Sequence, residues 1–280
     1  MSTATLTPGT PGTPGTTAKP TRSYALRDSL TMLRRNIKHM QRYPSMTISI
    51  LVMPLLMLLL FVYVFGGALG AGIGAGGDRG DYINYLVPGI ILMAATSGAV
   101  ATAVSVCTDM TEGIVNRFRT MSISRGSILT GHVMGSVLQV AAVLVLVTGV
   151  SLAIGFRPDA SVVEWAAAAG LLLFLAFGMA WLSAAMGMGA KTVESASNAP
   201  LPLTFLPFLG SAVVPPESMP TALRWFAEYQ PFTPINETLR GLLLGTDIGN
   251  AGWIALAWCT GLAALGYFWS RAVFNREVTR

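Results

Sequence analysis

Six apolar runs, separated by short polar or glycine- and proline-rich stretches, set the rhythm of this chain. They fall at about 46–66, 85–107, 128–155, 164–188, 199–214 and 251–271. A helix needs ~20 apolar residues to cross the hydrocarbon of a bilayer, and five of the six runs supply them. The fifth is short and carries Pro200, Pro202 and Pro207, which predicts a broken or partly re-entrant helix. The pattern therefore predicts an all-α polytopic membrane protein of about six transmembrane helices, the count depending on whether the fifth run crosses fully.

Composition agrees. Only 11% of the residues are charged and 52% are hydrophobic, with a mean hydropathy of +0.59. A soluble domain carries roughly 25% charge, so this chain could not cover a globular surface in water.

Between the apolar runs the pattern changes. Residues 1–21 repeat Thr-Pro-Gly and predict a disordered tail. They lack the basic start and apolar run of a secretory signal, so no cleavage is expected. Over 22–44, Leu26, Leu30, Leu33, Ile37 and Met40 recur at helical spacing, with Arg27, Arg34, Arg35, Lys38 and Arg42 on the remaining surface. That predicts an amphipathic helix on an anionic leaflet, compatible with a basic anchor that fixes topology. The transmembrane region then covers 45–275, followed by a short tail at 276–280.

The stretch DMTEGIVNRFRTMSISRGS concentrates Asp109, Glu112, Arg117, Arg119 and Arg125 between two apolar runs. On a helix over about 109–121, Met110, Ile114, Phe118 and Met121 share one stripe, and Glu112, Asn116 and Arg119 share another face. A mere connection needs ~2–8 residues and no amphipathicity, so a helix lying along the membrane surface is expected. At the far end, residues 215–245 hold Leu223, Trp225, Phe226, Tyr229 and Phe232, too aromatic for a water-exposed linker. Pro231 and Pro234 divide this region into two short helices that sit in the interface or dip into it, the second over about Pro234 to Leu244. Asn236-Glu237-Thr238 matches a glycosylation triplet and is read as incidental.

Charge sets the orientation. With both termini in the cytoplasm of a plasma-membrane protein, most Lys and Arg fall inside, and only Arg79, Arg157, Arg224 and Arg240 fall outside. The formal net charge of +5 is then a topology signal and predicts no nucleic-acid partner.

Candidate chemistry within the chain is sparse. No glycine precedes a lysine, which excludes the phosphate-binding loop of an ATPase. The predicted spans hold no Asp, Glu, Lys or Arg near their centres, which disfavours an ion-coupled carrier. Cys107 and Cys259 are expected to pack as small apolar residues, and His39 and His132 stand apart as interfacial residues, so no metal site is expected. Energy for any transport is then expected from elsewhere, most simply from a partner docking on the charged stretch at 109–127.

The segment from Asn84 to Gln139 resembles the membrane subunits of type 2 ABC transporters (ABC-2-type permeases), in particular the daunorubicin-resistance permeases of actinobacterial drug exporters. The likeness rests on Pro88-Gly89, Asp109 with Glu112-Gly113, Arg117-Phe118-Arg119 and Gly131. LPLTFLPFLGSAVVPPESMP and WFAEYQPFTPINETLRGLLLG look like the family's fifth span and outer re-entrant region. Ser122-Ile123-Ser124 stands where relatives commonly read Pro-Ile-Ser. The resemblance covers about residues 22–275.

It implies an N-terminal interfacial helix, a cytoplasmic coupling helix and an outer re-entrant region. A pair of such subunits would bind two copies of a cytoplasmic ATP-binding subunit, which holds the ATP and magnesium; this chain would hold no cofactor. Asp109, Glu112, Gly113, Arg117, Phe118 and Arg119 would couple to the ATPase. The implied function is ATP-driven export of hydrophobic or amphipathic compounds, as in drug efflux. Export of a lipid or lipid-linked envelope glycan, and a non-transporting sensor or immunity protein, stay open. Broken backbone at membrane depth is tolerated where it lines a cavity, so Phe205, Phe208 and Ser211 are expected to line a lateral substrate path at the interface between two copies.

Overall fold

A computed structural model of the chain describes residues 44–67, 79–111 and 125–279. The tail, the amphipathic segment before residue 44, and Glu112, Gly113, Arg117, Phe118 and Arg119 lie outside the described residues. The described residues form helices joined by short loops, without strands. Helix α1 spans Pro44–Leu59 and continues into a wider π-helical turn, Leu60–Phe65. Then follow α2 (Arg79–Thr96), α3 (Gly98–Thr111), α4 (Arg125–Ile154) and α5 (Val162–Gly189). Two short pieces, α6 (Val193–Asn198) and α7 (Leu201–Phe205), precede a tight 3-10 turn at Leu206–Leu209. The chain ends with α8 (Thr221–Tyr229), α9 (Phe232–Leu244) and α10 (Ala251–Thr279).

Four stretches among the described residues are long and apolar enough to cross a membrane: Gly80–Thr111, Leu129–Ile154, Val162–Gly189 and Ala251–Phe274. A shorter apolar helix covers Ile50–Phe65. In hydrocarbon each backbone N–H and C=O must be satisfied within its own segment, which leaves such runs no alternative to the helix. The second predicted span is divided at Ser97. There the Thr96 and Ser97 hydroxyls donate to the Met93 and Ala94 carbonyls at 2.9 and 2.7 Å, drawing acceptors away from the regular ladder. The fifth predicted run, 199–214, is not one continuous helix: its prolines leave five helical residues and a 3-10 turn before extended backbone at Gly210.

Helix boundaries follow local chemistry. Ser161 and Glu164 form a reciprocal capping box at the start of α5, with the Ser161 N–H donating to the carboxylate at 2.6 Å. α9 ends at Gly245, whose left-handed φ of 71° suits a residue without a Cβ.

The centre of the bundle is α5, which packs against α3, α4, α9 and α10. Its seam with α10 is tight. Gly266 lies against the Trp181–Leu182 backbone with no room for a side chain. Beside it Trp181 and Tyr267 meet edge to face at 5.2 Å, and the Ser270 hydroxyl donates to the Trp181 carbonyl at 3.0 Å. On the other side of α5, Gly187 presses equally close to the Ala103 backbone of α3. Small residues let backbones approach where no hydrophobic effect drives helices together. Helix α1 sits across the bundle against α2, α3 and α4.

Candidate functional site

Three features stand out, one at each end of the α2–α3 span and one between them. The first surrounds the broken segment after α7. Gly210 and Ser211 turn the chain under α9, and the Ser211 carbonyl becomes the hub of a polar knot. Tyr85 Oη donates to it at 3.3 Å and Asn236 Nδ2 at 3.0 Å, while the Arg240 guanidinium makes a short, charge-assisted bond to the same oxygen. Arg240 Nε also donates to the Tyr85 carbonyl at 3.3 Å, and its guanidinium lies 3.8 Å above the Tyr85 ring. Thr233 Oγ1 accepts from the Ser211 N–H at 3.4 Å and donates to the Ala227 carbonyl at 2.5 Å. Gly89 of α2 completes the fit, because a Cβ there would strike the Ala212 carbonyl. Backbone that has left the helix is thus re-satisfied by side chains of α2 and α9, as hydrocarbon requires.

Below the knot lies an apolar cavity of about 370 Å³. Met53 and Met57 of α1, Met93 of α2, Val104 of α3 and Thr204 and Phe208 of the broken segment bound it. The size falls in the ~300–1,000 Å³ range of small-molecule sites. Methionines make an adaptable lining, since an unbranched thioether fits many shapes. Of the residues expected on the substrate path, Phe208 borders this cavity. Phe205 is 53% exposed, its ring tilted against Phe208 with centroids 6.0 Å apart. Ser211 is 1% exposed and engaged in the knot. A second apolar pocket of about 330 Å³ lies between α5, α9 and α10, bounded by Leu171, Leu242, Trp253 and Leu256.

The third feature joins α3 to α4 where they approach residues 112–124. Thr102 and Ser136 share a hydrogen bond at 2.6 Å, Ser105 Oγ lies 3.3 Å from His132 Nδ1, and His132 Nε2 lies 2.9 Å from Asp109 Oδ2. A carboxylate only accepts, so the proton of that last bond sits on Nε2. Side chains of the pair are 13% and 15% exposed, which removes it from the weak class of surface ion pairs. Asp109 is the one expected coupling residue within the described part of the chain.

Sequence reasoning left His132 standing apart, whereas its partner is an aspartate 23 residues earlier. The signal was present: Thr102, Ser105 and Asp109 fall on one stripe of α3, answered by His132 and Ser136 at i, i+4. The polar knot was missed as well. Asn236, read as part of an incidental surface triplet, is buried and spends its amide on Ser211. Arg240, counted among the outer charges, grips the broken segment. Cys107 and Cys259 are buried and free, and no group of His, Cys, Asp and Glu among the described residues could hold a metal.

Comparison with known proteins agrees with this architecture. A family model described as ABC-2 type transporter matches residues 28–244, a range that takes in α1 through α9 and thus both cavity walls, the knot and the ladder. A daunorubicin resistance ABC transporter permease protein of Streptomyces coeruleorubidus is 29% identical over 252 residues, covering 88% of this chain and 86% of that protein. An all-helical, multi-pass bundle with a family match over most of its length is a membrane transport subunit, and the chain belongs to the ABC-2 type transporter family.

Proposed function

We propose that this chain is the permease subunit of an ATP-driven exporter that moves hydrophobic or amphipathic compounds out of the cell. The observation that carries the reading is the methionine-lined cavity between α1, the α2–α3 span and the broken fifth segment. Its walls offer area to an apolar body, and the oxygens of Ser97 and Thr204, whose hydroxyl protons go to the Ala94 and Pro200 carbonyls, offer it two acceptors. The resistance function in the name of the Streptomyces relative points to the same kind of cargo.

Energy enters from two cytoplasmic ATP-binding subunits, which bind the ATP and magnesium. We assign coupling to the ATPase to Asp109, Glu112, Gly113, Arg117, Phe118 and Arg119, with Glu112 and Arg119 as the proposed contacts, on the charge pattern of that stretch. Both termini lie in the cytoplasm of the plasma membrane, as the distribution of Lys and Arg favours. A second copy of the chain meets the exposed faces of α1 and the broken segment, where Leu56, Tyr63, Phe205 and Leu209 are uncovered. Phe205 and Phe208 then border the route by which cargo leaves, and Ser211 holds its outer rim.

The test is a complex of the chain with its ATP-binding subunit in proteoliposomes, with daunorubicin as the fluorescent probe. The wild type should move the dye only with ATP. Phe208→Ala should change which apolar compounds stimulate hydrolysis, with recovery of the complex unchanged. An unaltered stimulation profile, or loss of the complex itself, contradicts the assignment of Phe208 to the route.

A further inference from the structure

We infer that the hydrogen-bonded ladder between α3 and α4, centred on His132, is the stem through which a push on residues 112–124 moves the wall of the apolar cavity. The inference rests on the proposal that an ATP-binding subunit docks on those residues.

The ladder has three rungs in antiparallel register: Thr102 with Ser136, Ser105 with His132, and Asp109 with His132. At its far end Gly98 lies against Val140, so contact continues from one end of α3 to the other. Ser105 and Asp109 are four residues apart and therefore stacked on one face of α3. One imidazole meets both, because its two nitrogens point in different directions on a rigid ring. The carboxylate accepts a hydrogen bond from Nε2–H and the Ser105 hydroxyl faces Nδ1, so both nitrogens have a neighbour.

Two further observations make the ladder a lever and not only a fastening. First, the helix is interrupted at Ser97, where the backbone N–H and the hydroxyl both turn to the Ala94 carbonyl. α3 can therefore tilt relative to α2, together with α4 and with α5, whose Gly187 lies against the Ala103 backbone. Second, the cavity residues of α3, Val100, Ala101 and Val104, lie roughly 120° around the helix from the ladder residues, at 100° per residue. Rotation of the α3–α4 stem carries that wall with it. His132 is then a positioning residue that touches no cargo and acts by keeping α3 and α4 in register.

The experiment uses the full complex in proteoliposomes and reads daunorubicin moved per ATP hydrolysed. His132→Ala should leave complex recovery and basal hydrolysis at the wild-type level. It should lower the transport-to-hydrolysis ratio about three- to tenfold, the scale of an interhelical polar contact within a membrane. His132→Gln, whose amide still donates to Asp109, should recover part of that loss. Combining His132→Ala with Asp109→Asn should lower the ratio no further than the worse single change. A disulfide across the first rung, Thr102→Cys with Ser136→Cys, should restore the ratio in the His132→Ala background, because the stem moves as one body.

A wild-type ratio in His132→Ala overturns the inference, and so does loss of transport on oxidation of the disulfide pair. Equal loss of complex and transport in both His132→Ala and His132→Gln would make the residue a packing element and overturn it too. If the wild-type chain recovers no ATP-binding subunit, the proposed function itself fails. A recovered complex with an unrescued His132→Ala variant leaves that function standing and removes only the stem.

Discussion

The two sides of the α2–α3 span are built on opposite principles. Toward α5 the contact is glycine to backbone, Gly187 against Ala103, and behind it the α5–α10 seam is sealed by Gly266, an edge-to-face aromatic pair and a buried hydroxyl. Toward α1 and the broken segment there is a cavity of about 370 Å³ with three methionines on its walls. Close packing gives one arrangement and resists change, whereas a loose thioether lining tolerates several. The difference assigns the work: the α5–α10 side is the frame, and the α1 side is where a guest or a moving wall can be accommodated.

The largest expected effect tests the frame. Gly266→Leu would force a side chain into the Trp181–Leu182 backbone, and overpacking of a filled core costs ~1–3 kcal/mol, with more where backbone cannot yield. The folded chain recovered from membranes should fall severely, as read by size-exclusion of detergent extracts. Wild-type recovery would show that the seam is less rigid than its contacts imply.

A smaller effect is expected at the polar knot. Arg240→Met keeps an apolar stem but removes the charged donor from the Ser211 carbonyl and the cation from the Tyr85 ring. Losing one partner of a buried, charge-assisted bond costs about 2 kcal/mol. Unfolding in mixed micelles should become easier by that amount. An unchanged unfolding curve would mean that Tyr85 and Asn236 hold the broken segment alone. The smallest effect belongs to the exposed Arg224–Glu228 pair of α8, at 2.7 Å. Arg224→Ala should cost under about 0.5 kcal/mol in the same assay, because a solvated i, i+4 pair gains little.

How much of this was legible depends on the range of the force involved. The third and fourth spans, expected at 128–155 and 164–188, are helices over Arg125–Ile154 and Val162–Gly189. Bilayer thickness and backbone satisfaction fix such elements from the local sequence. The second outer helix begins at Phe232, two residues before the expected Pro234, because proline is welcome within a first turn. The break at Ser97 went unseen, since serine and threonine inside an apolar run signal a divided helix only weakly. The knot joins Tyr85 to Ser211 across 126 residues and Arg240 to Tyr85 across 155, and no periodicity encodes such a meeting. Phe208 was singled out from the prolines around it, but the methionines that share its cavity lie on α1 and α2 and carried no signal of their own.

The two apolar pockets supply the most direct measurement of the central claim. Met57 borders the one beside α1, and Leu242 borders the one of about 330 Å³ between α5, α9 and α10. Both native cysteines are buried, so thiol labelling in the assembled complex starts from a low background. Met57→Cys should be protected from a membrane-permeant alkylating reagent by those compounds that stimulate ATP hydrolysis, and Leu242→Cys should not. Protection of Leu242→Cys with Met57→Cys left reactive would put the cargo on the rigid side of the bundle and contradict the account.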